Sequence, residues 1–168
     1  MDFYFERLEA ELESVLGGAT ELVIQKAPTG KWNSAQILEH LYLSYKGTNK
    51  AIARCLATGR PLATVATMKQ RLRVLIVIGL GYFPKGVKAP AVSVPRGLPP
   101  KKVRGTILAE IQKMAAGLDD CERRFGARTK IIDHPIMGPL TAHQWRKLHW
   151  LHGCHHTRQI RERTKLSI

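Results

Sequence analysis

Thiols are scarce in this chain and stand far apart. Cys55, Cys121 and Cys154 are odd in number, and no CxxC spacing occurs, which excludes a disulfide framework and suits a reducing compartment. Acids are also few: 13 Asp and Glu against 27 Lys and Arg leave a formal charge of +14. Such a surplus favours an anionic partner, whether nucleic acid, a membrane surface or an acidic small molecule. Long apolar runs are missing as well. The longest, Val74 to Phe83, falls well short of the roughly 20 residues that span a bilayer, and two glycines interrupt it. The opening Met1-Asp2-Phe3-Tyr4-Phe5-Glu6 has neither the basic start nor the apolar stretch of a signal peptide. A cytoplasmic protein with no membrane partner is the expectation. No internal repeat is present, and nothing alternates at period two for long, so an extended sheet is not expected.

What the sequence does hold is an ordinary apolar share, 44%, enough for a packed core and a single domain over residues 1–168. The apolar residues recur at helical spacing in five places. From Asp2 to Leu16 they are Phe5, Leu8, Leu12 and Leu16, with Gly17-Gly18 as the stop. A second helix starts at Asn33 as N-cap, with Gln36 at the third helical position and Trp32 and Ile37 placed for a hydrophobic staple. Its inward stripe is Ile37, His40, Leu41, Ser44, Thr48 and Ile52, ending near Gly59-Arg60-Pro61. A third is expected from Ala63 to Leu80, with Met68, Leu72, Leu75 and Ile76 inward.

From Gly81 to Pro100, five of the nine prolines describe an extended loop packed over one end of the domain. A fourth helix lies between Lys101 and Phe125, its seam formed by Ile107, Ile111, Met114, Leu118, Cys121 and Phe125. A loop with His134-Pro135 and Gly138-Pro139 then leads to a fifth, signed by Thr141 and Gln144 as a capping box and by Leu140 and Trp145 as a staple. The predicted fold is all-α: an up-and-down four-helix bundle with one additional helix and a long Pro/Gly-rich loop.

Five of the seven histidines fall in the fourteen residues from His143 to His156. On a helix, with His149 at zero, His152 lies at roughly −60° and His156 at roughly −20°, beside Trp145 and Ile160 on the inward stripe. His143 points away, His155 stands at the edge, and Cys154 faces roughly +140°, away from the histidine face. His152 and His156 are one turn apart, so two imidazoles can converge on one ion about 2.1 Å from each nitrogen. The third ligand must come from another helix, and His40, on an apolar stripe of its own, is the natural donor. Three imidazoles with no thiolate describe an open site for a divalent ion: zinc, nickel, iron(II) or copper. His149 or His155 stands as a replacement for one of the three, and a core histidine held by hydrogen bonds is the bland alternative for His40.

The run Trp32-Asn33-Ser34-Ala35-Gln36-Ile37-Leu38-Glu39-His40-Leu41 resembles the opening motif of the DinB/YfiT-like superfamily. The stretch from His134-Pro135-Ile136-Met137-Gly138-Pro139-Leu140-Thr141 to His152-Gly153-Cys154-His155-His156-Thr157-Arg158-Gln159-Ile160 resembles its closing motif. The likeness is specific at these two ends and weak between them. It implies a four-helix bundle, often dimeric, with ligands His40, His152 and His156, and an activity among metal-dependent thiol transferases and isomerases that use bacillithiol, mycothiol or glutathione.

Three functions follow as expectations. The first is a metal-dependent transferase or hydrolase acting with a small acidic thiol, which the basic surplus would attract; Arg158, Arg161 and Arg163 stand near the end of the last helix. The second is a bundle that keeps its histidines for structure or for a homodimer, through the apolar run Leu72 to Leu80. The third is a nucleic-acid-binding protein. Against that one, the cations are dispersed over the chain, and neither a helix-turn-helix nor an aromatic stacking platform is evident.

Overall fold

The computed structural model describes residues 2–17, 29–84 and 88–165. Gly18, expected as part of the first stop, and Gly86 of the Pro/Gly-rich loop lie outside the described residues. Among the described residues the chain is mostly helical, with five α-helices and one two-stranded antiparallel sheet.

Helix α1 (Phe3–Leu16) starts where the Asp2 carboxylate accepts the Tyr4 N–H at 2.9 Å, and it buries Phe5, Leu8, Leu12 and Val15. Helix α2 (Ser34–Thr58) opens with the reciprocal Asn33–Gln36 capping box and closes on Gly59, whose φ of 66° is left-handed backbone that suits glycine. The inward stripe of α2 is buried at Ile37, His40, Leu41, Thr48 and Ile52, with Ser44 only half-buried. Helix α4 (Pro100–Phe125) buries Ile107, Ile111, Met114, Leu118 and Cys121, and helix α5 (Ala142–Lys165) begins at the Thr141–Gln144 capping box. Helix α2 lies along α4, α1 along α5, and α2 also meets α5. Two glycines mark the close approaches: a Cβ at Gly117 would come within 2.7 Å of Ile52, and one at Gly153 within 2.1 Å of Leu8.

Two regions differ from expectation. The stretch expected as a loop with two X-Pro pairs is a hairpin, β1 (Lys130–His134) with β2 (Gly138–Thr141), pairing Ile132 with Leu140 and His134 with Gly138. Its strands are too short to show alternation, and its turn is stabilised by the Ile136 and Met137 N–H groups donating to His134 Nδ1 at 3.1 and 3.2 Å.

The third helix is also shorter than expected. Residues 61–67 are extended beside β1, tied by Leu62 N–H to the Ile131 carbonyl and by the Thr64 N–H and hydroxyl to Asp133. Helix α3 (Met68–Val74) then runs into a π-helical turn, Leu75–Gly79. Three of its four expected inward residues, Met68, Leu72 and Leu75, are more than half exposed, Ile76 is half-buried, and it is Val77 and Ile78 of the π turn that are buried. Polar contacts explain this. Gln70 sits against Gly138, and Arg73 donates to the Ile136 carbonyl at 3.1 Å, so α3 docks on the hairpin turn through its polar side.

The main core joins α1, α2, the π turn, α4, the hairpin and the first half of α5. A second, small apolar cluster of Val15, Ile37 and Ile160, with Trp32 packed on it, closes the end where α1 finishes and α2 starts. The polar positions between these clusters include His40 on α2 and His149, His152 and His156 on α5, together with the buried Glu39 and Thr157. Among the described residues, no helix is long and apolar enough to cross a membrane.

Candidate metal centre

His40 comes from the first turns of α2, and His152 and His156 from successive turns of α5. Helices that meet with opposite direction bring the three to one place. The Nε2 atom of His152 lies 3.1 Å from that of His40 and 3.0 Å from that of His156. One nitrogen from each ring falls within 4.8 Å of the other two, a grouping that could hold a metal ion. The rings pack edge-to-face, with centroids 4.6 to 5.1 Å apart.

What lies behind two of the rings favours one tautomer of each. His40 Nδ1 donates to the Ser93 carbonyl at 2.8 Å, and a carbonyl can only accept, so the Nε2 of His40 presents a lone pair inward. His156 Nδ1 donates to Gln159 Oε1 at 2.9 Å, while the Gln159 amide donates to His155 Nε2 at 3.1 Å. His156 therefore also turns a lone pair inward. His152 Nε2 sits between the two with at most one proton to share. A proton on His152 Nε2 would satisfy this cluster by hydrogen bonding, and a cation in its place would be met by three imidazole nitrogens, donors that zinc, nickel, copper and iron(II) accept.

The electrostatics run the same way. Burial pushes all three imidazoles below the ordinary histidine range: His156 to about 3, with the neighbouring His40 adding to the fall, and His152 well down through burial and then through His156 and His40. For His40 the Ser93 hydrogen bond opposes part of the desolvation. Neutral rings are the form that binds a cation.

The walls are aromatic and extended. Trp32 lies 5.2 Å from the His40 ring, and Phe83 stacks on His152 and His155 at 6.1 and 5.6 Å. The Pro-rich segment supplies Ser93 from a single 3-10 turn, Ala91–Ser93. It is anchored by Glu39, whose carboxylate oxygens accept the N–H groups of Arg96 at 2.7 Å and Gly97 at 3.0 Å.

The remaining histidines separate cleanly. His149, on the same face as His152, is buried, bonded through Nε2 to Thr48 Oγ1 at 3.1 Å, and packed on Tyr45 and Trp145. His155 stands beside the three, tied to Gln159 and stacked on Phe83. His134 is in the hairpin and His143 is exposed. Cys154 lies in a surface groove with Arg7, Glu11 and Trp150, away from the histidines. Arg161 is engaged with Glu11 at 2.8 Å and Ser14 at 2.6 Å, and Arg158 is exposed.

Sequence reasoning missed Ser93, Glu39 and Phe83. Ser93 acts through its backbone, which no side-chain motif records. Gln159, three residues after His156, did carry a signal in its spacing.

No curated protein matches the chain, and no solved structure does. Over residues 1–163 the chain matches, and so belongs to, the family described as Protein of unknown function (DUF1569).

Proposed function

We propose that this chain is a divalent-metal-dependent enzyme of DinB-like type, its ion held by His40, His152 and His156. The single observation that carries the reading is the set of three inward imidazole nitrogens, two of them on rings held from behind through Nδ1. The pairwise packing of α1 with α5 and α2 with α4 supports a four-helix bundle in which α3 is the additional helix. The resemblance of the segments around His40 and from His134 to Ile160 supports the same superfamily.

A divalent ion in such a site lowers the pKa of a thiol or water that it binds, making a nucleophile at neutral pH. The chain's own residues would do the rest. The three histidines fix the ion, Ser93 and Gln159 orient two of them, and Trp32 and Phe83 cover their ring faces. The +14 charge favours an acidic co-substrate, and a small thiol bearing carboxylates is the class we assign to it. Thiol transfer or isomerisation is the reaction class.

The first test is metal analysis of protein purified without a histidine tag. About one divalent ion per chain is expected, as three-histidine sites hold. His156→Ala should abolish binding and His40→Ala should weaken it. Normal metal content in His40→Ala would remove His40 as a ligand. Thiol-transfer assays with an electrophile and candidate thiols then test the reaction class.

A further inference from the structure

Glu39 and His40 are neighbours on α2, both buried, and both grip the same stretch of the Pro-rich loop. The Glu39 carboxylate accepts the Arg96 and Gly97 N–H groups, and His40 donates to Ser93, three residues before Arg96. Gly97 has a φ of 84°, a left-handed conformation natural to glycine at a turn that brings two successive N–H groups to one anion. We propose that Glu39 is a positioning residue for the metal centre, and that residues 88–99 form a strap whose docking is coupled to the ion. This rests on the metal reading given above.

The coupling runs through one proton. With an ion bound, His40 must present its Nε2 lone pair, so the proton sits on Nδ1 and Ser93 accepts it. Without an ion, His40 can move that proton to Nε2 and donate to His152, 3.1 Å away. Nδ1 then faces the Ser93 carbonyl, 2.8 Å away, lone pair to lone pair, and the strap loses one of the bonds that anchor it to Glu39 and His40. Whatever holds the strap down therefore favours the ion-binding tautomer, and the ion in turn favours the docked strap, since coupling between two sites is reciprocal. Glu39 holds the strap from the residue beside the ligand without touching the ion.

The test uses the full chain with zinc as probe. In the wild type, hydrogen exchange at the Arg96 and Gly97 amides should slow about tenfold on going from chelator to saturating zinc, within the usual range of allosteric couplings. In Glu39→Gln, zinc should bind up to about tenfold more weakly, because the coupling that slows exchange about tenfold is also the most that loosening the strap can take from zinc affinity. The cobalt(II) absorption bands should stay in place, because the three ligands are intact. Exchange rates indifferent to zinc, or a Glu39→Gln affinity within about twofold of wild type, would overturn the proposal, since a coupled strap must act on both. If Glu39→Gln does not fold, the wild-type exchange measurement decides alone. Failure of the wild type to bind zinc at all would overturn the metal reading itself and this proposal with it, an outcome told apart because it needs no variant.

Discussion

One turn of α5 separates His149 from His152, and the residues facing them from α2 are Thr48 and His40. Both histidines lie on the same side of the helix, and both are pushed far below the usual histidine range by burial. Their surroundings differ. His149 shares Nε2 with the Thr48 hydroxyl and packs on the rings of Tyr45 and Trp145, and its Nδ1 is buried with no hydrogen-bond partner among the described residues, so one hydroxyl stands where His152 meets two imidazoles. His152 shares Nε2 with two further imidazoles whose protons are directed outward. The facing residue, not the helix face, separates a core histidine from a candidate ligand.

The sharpest way to break this contrast is to remove each histidine in turn and ask whether the protein still responds to metal. Zinc at about 1,000 times its dissociation constant should stabilise the wild type and His149→Leu by about 4 kcal/mol, and His152→Leu not at all, as read from urea unfolding. A lost zinc response in His149→Leu would mean that the two layers act as one site.

Acid sharpens the same contrast in the metal-free protein. Folding lowers the His149 pKa from 6.5 to about 3, chiefly through burial and then through the neighbouring His134. Below pH 6.5 the unfolded chain takes up a proton that the folded chain refuses, so stability falls as pH falls and is unaffected by this group well above 6.5. Each such proton corresponds to about 1.4 kcal/mol per pH unit, or about 3 kcal/mol between pH 6.5 and 4. His149→Leu should flatten the pH dependence of unfolding by one proton in that window; His134, lowered to about 4 by burial, keeps its share in both proteins. Equal slopes would show that His149 is protonated in the fold.

The sequence carried the local half of this site well. The capping boxes at Asn33–Gln36 and Thr141–Gln144 are contained within four residues, so the chain signals them without tertiary help. The spacing of His152 and His156 is likewise local. What sequence reasoning lacked was the far side of each contact. It placed Thr48 on the inward stripe of α2 but had no means of pairing it with His149, 101 residues away. It gave α3 an apolar inward face because apolar residues usually seek the core, whereas the neighbour of α3 is a polar hairpin turn that takes Gln70 and Arg73. The hairpin itself has four- and five-residue strands, too brief for a period to emerge. The Ser93 carbonyl, 53 residues from His40, has no side-chain signature at all.

The smallest expected effect probes the His149 layer from its other side. Thr48→Val keeps the shape of a buried side chain and deletes the hydroxyl that His149 Nε2 meets at 3.1 Å. Since His149 Nδ1 is already buried without a hydrogen-bond partner among the described residues, the ring would have none on either nitrogen. Leaving a buried polar atom unpaired costs about 1–3 kcal/mol, and the low end applies here because the ring keeps its packing on Tyr45 and Trp145. Unfolding of metal-free Thr48→Val should show that loss, while its zinc affinity stays at the wild-type value because no ligand or ligand partner has changed. A zinc affinity reduced in step with stability would mean that the ring of His149 props His152 in place, and that the two layers are mechanically one.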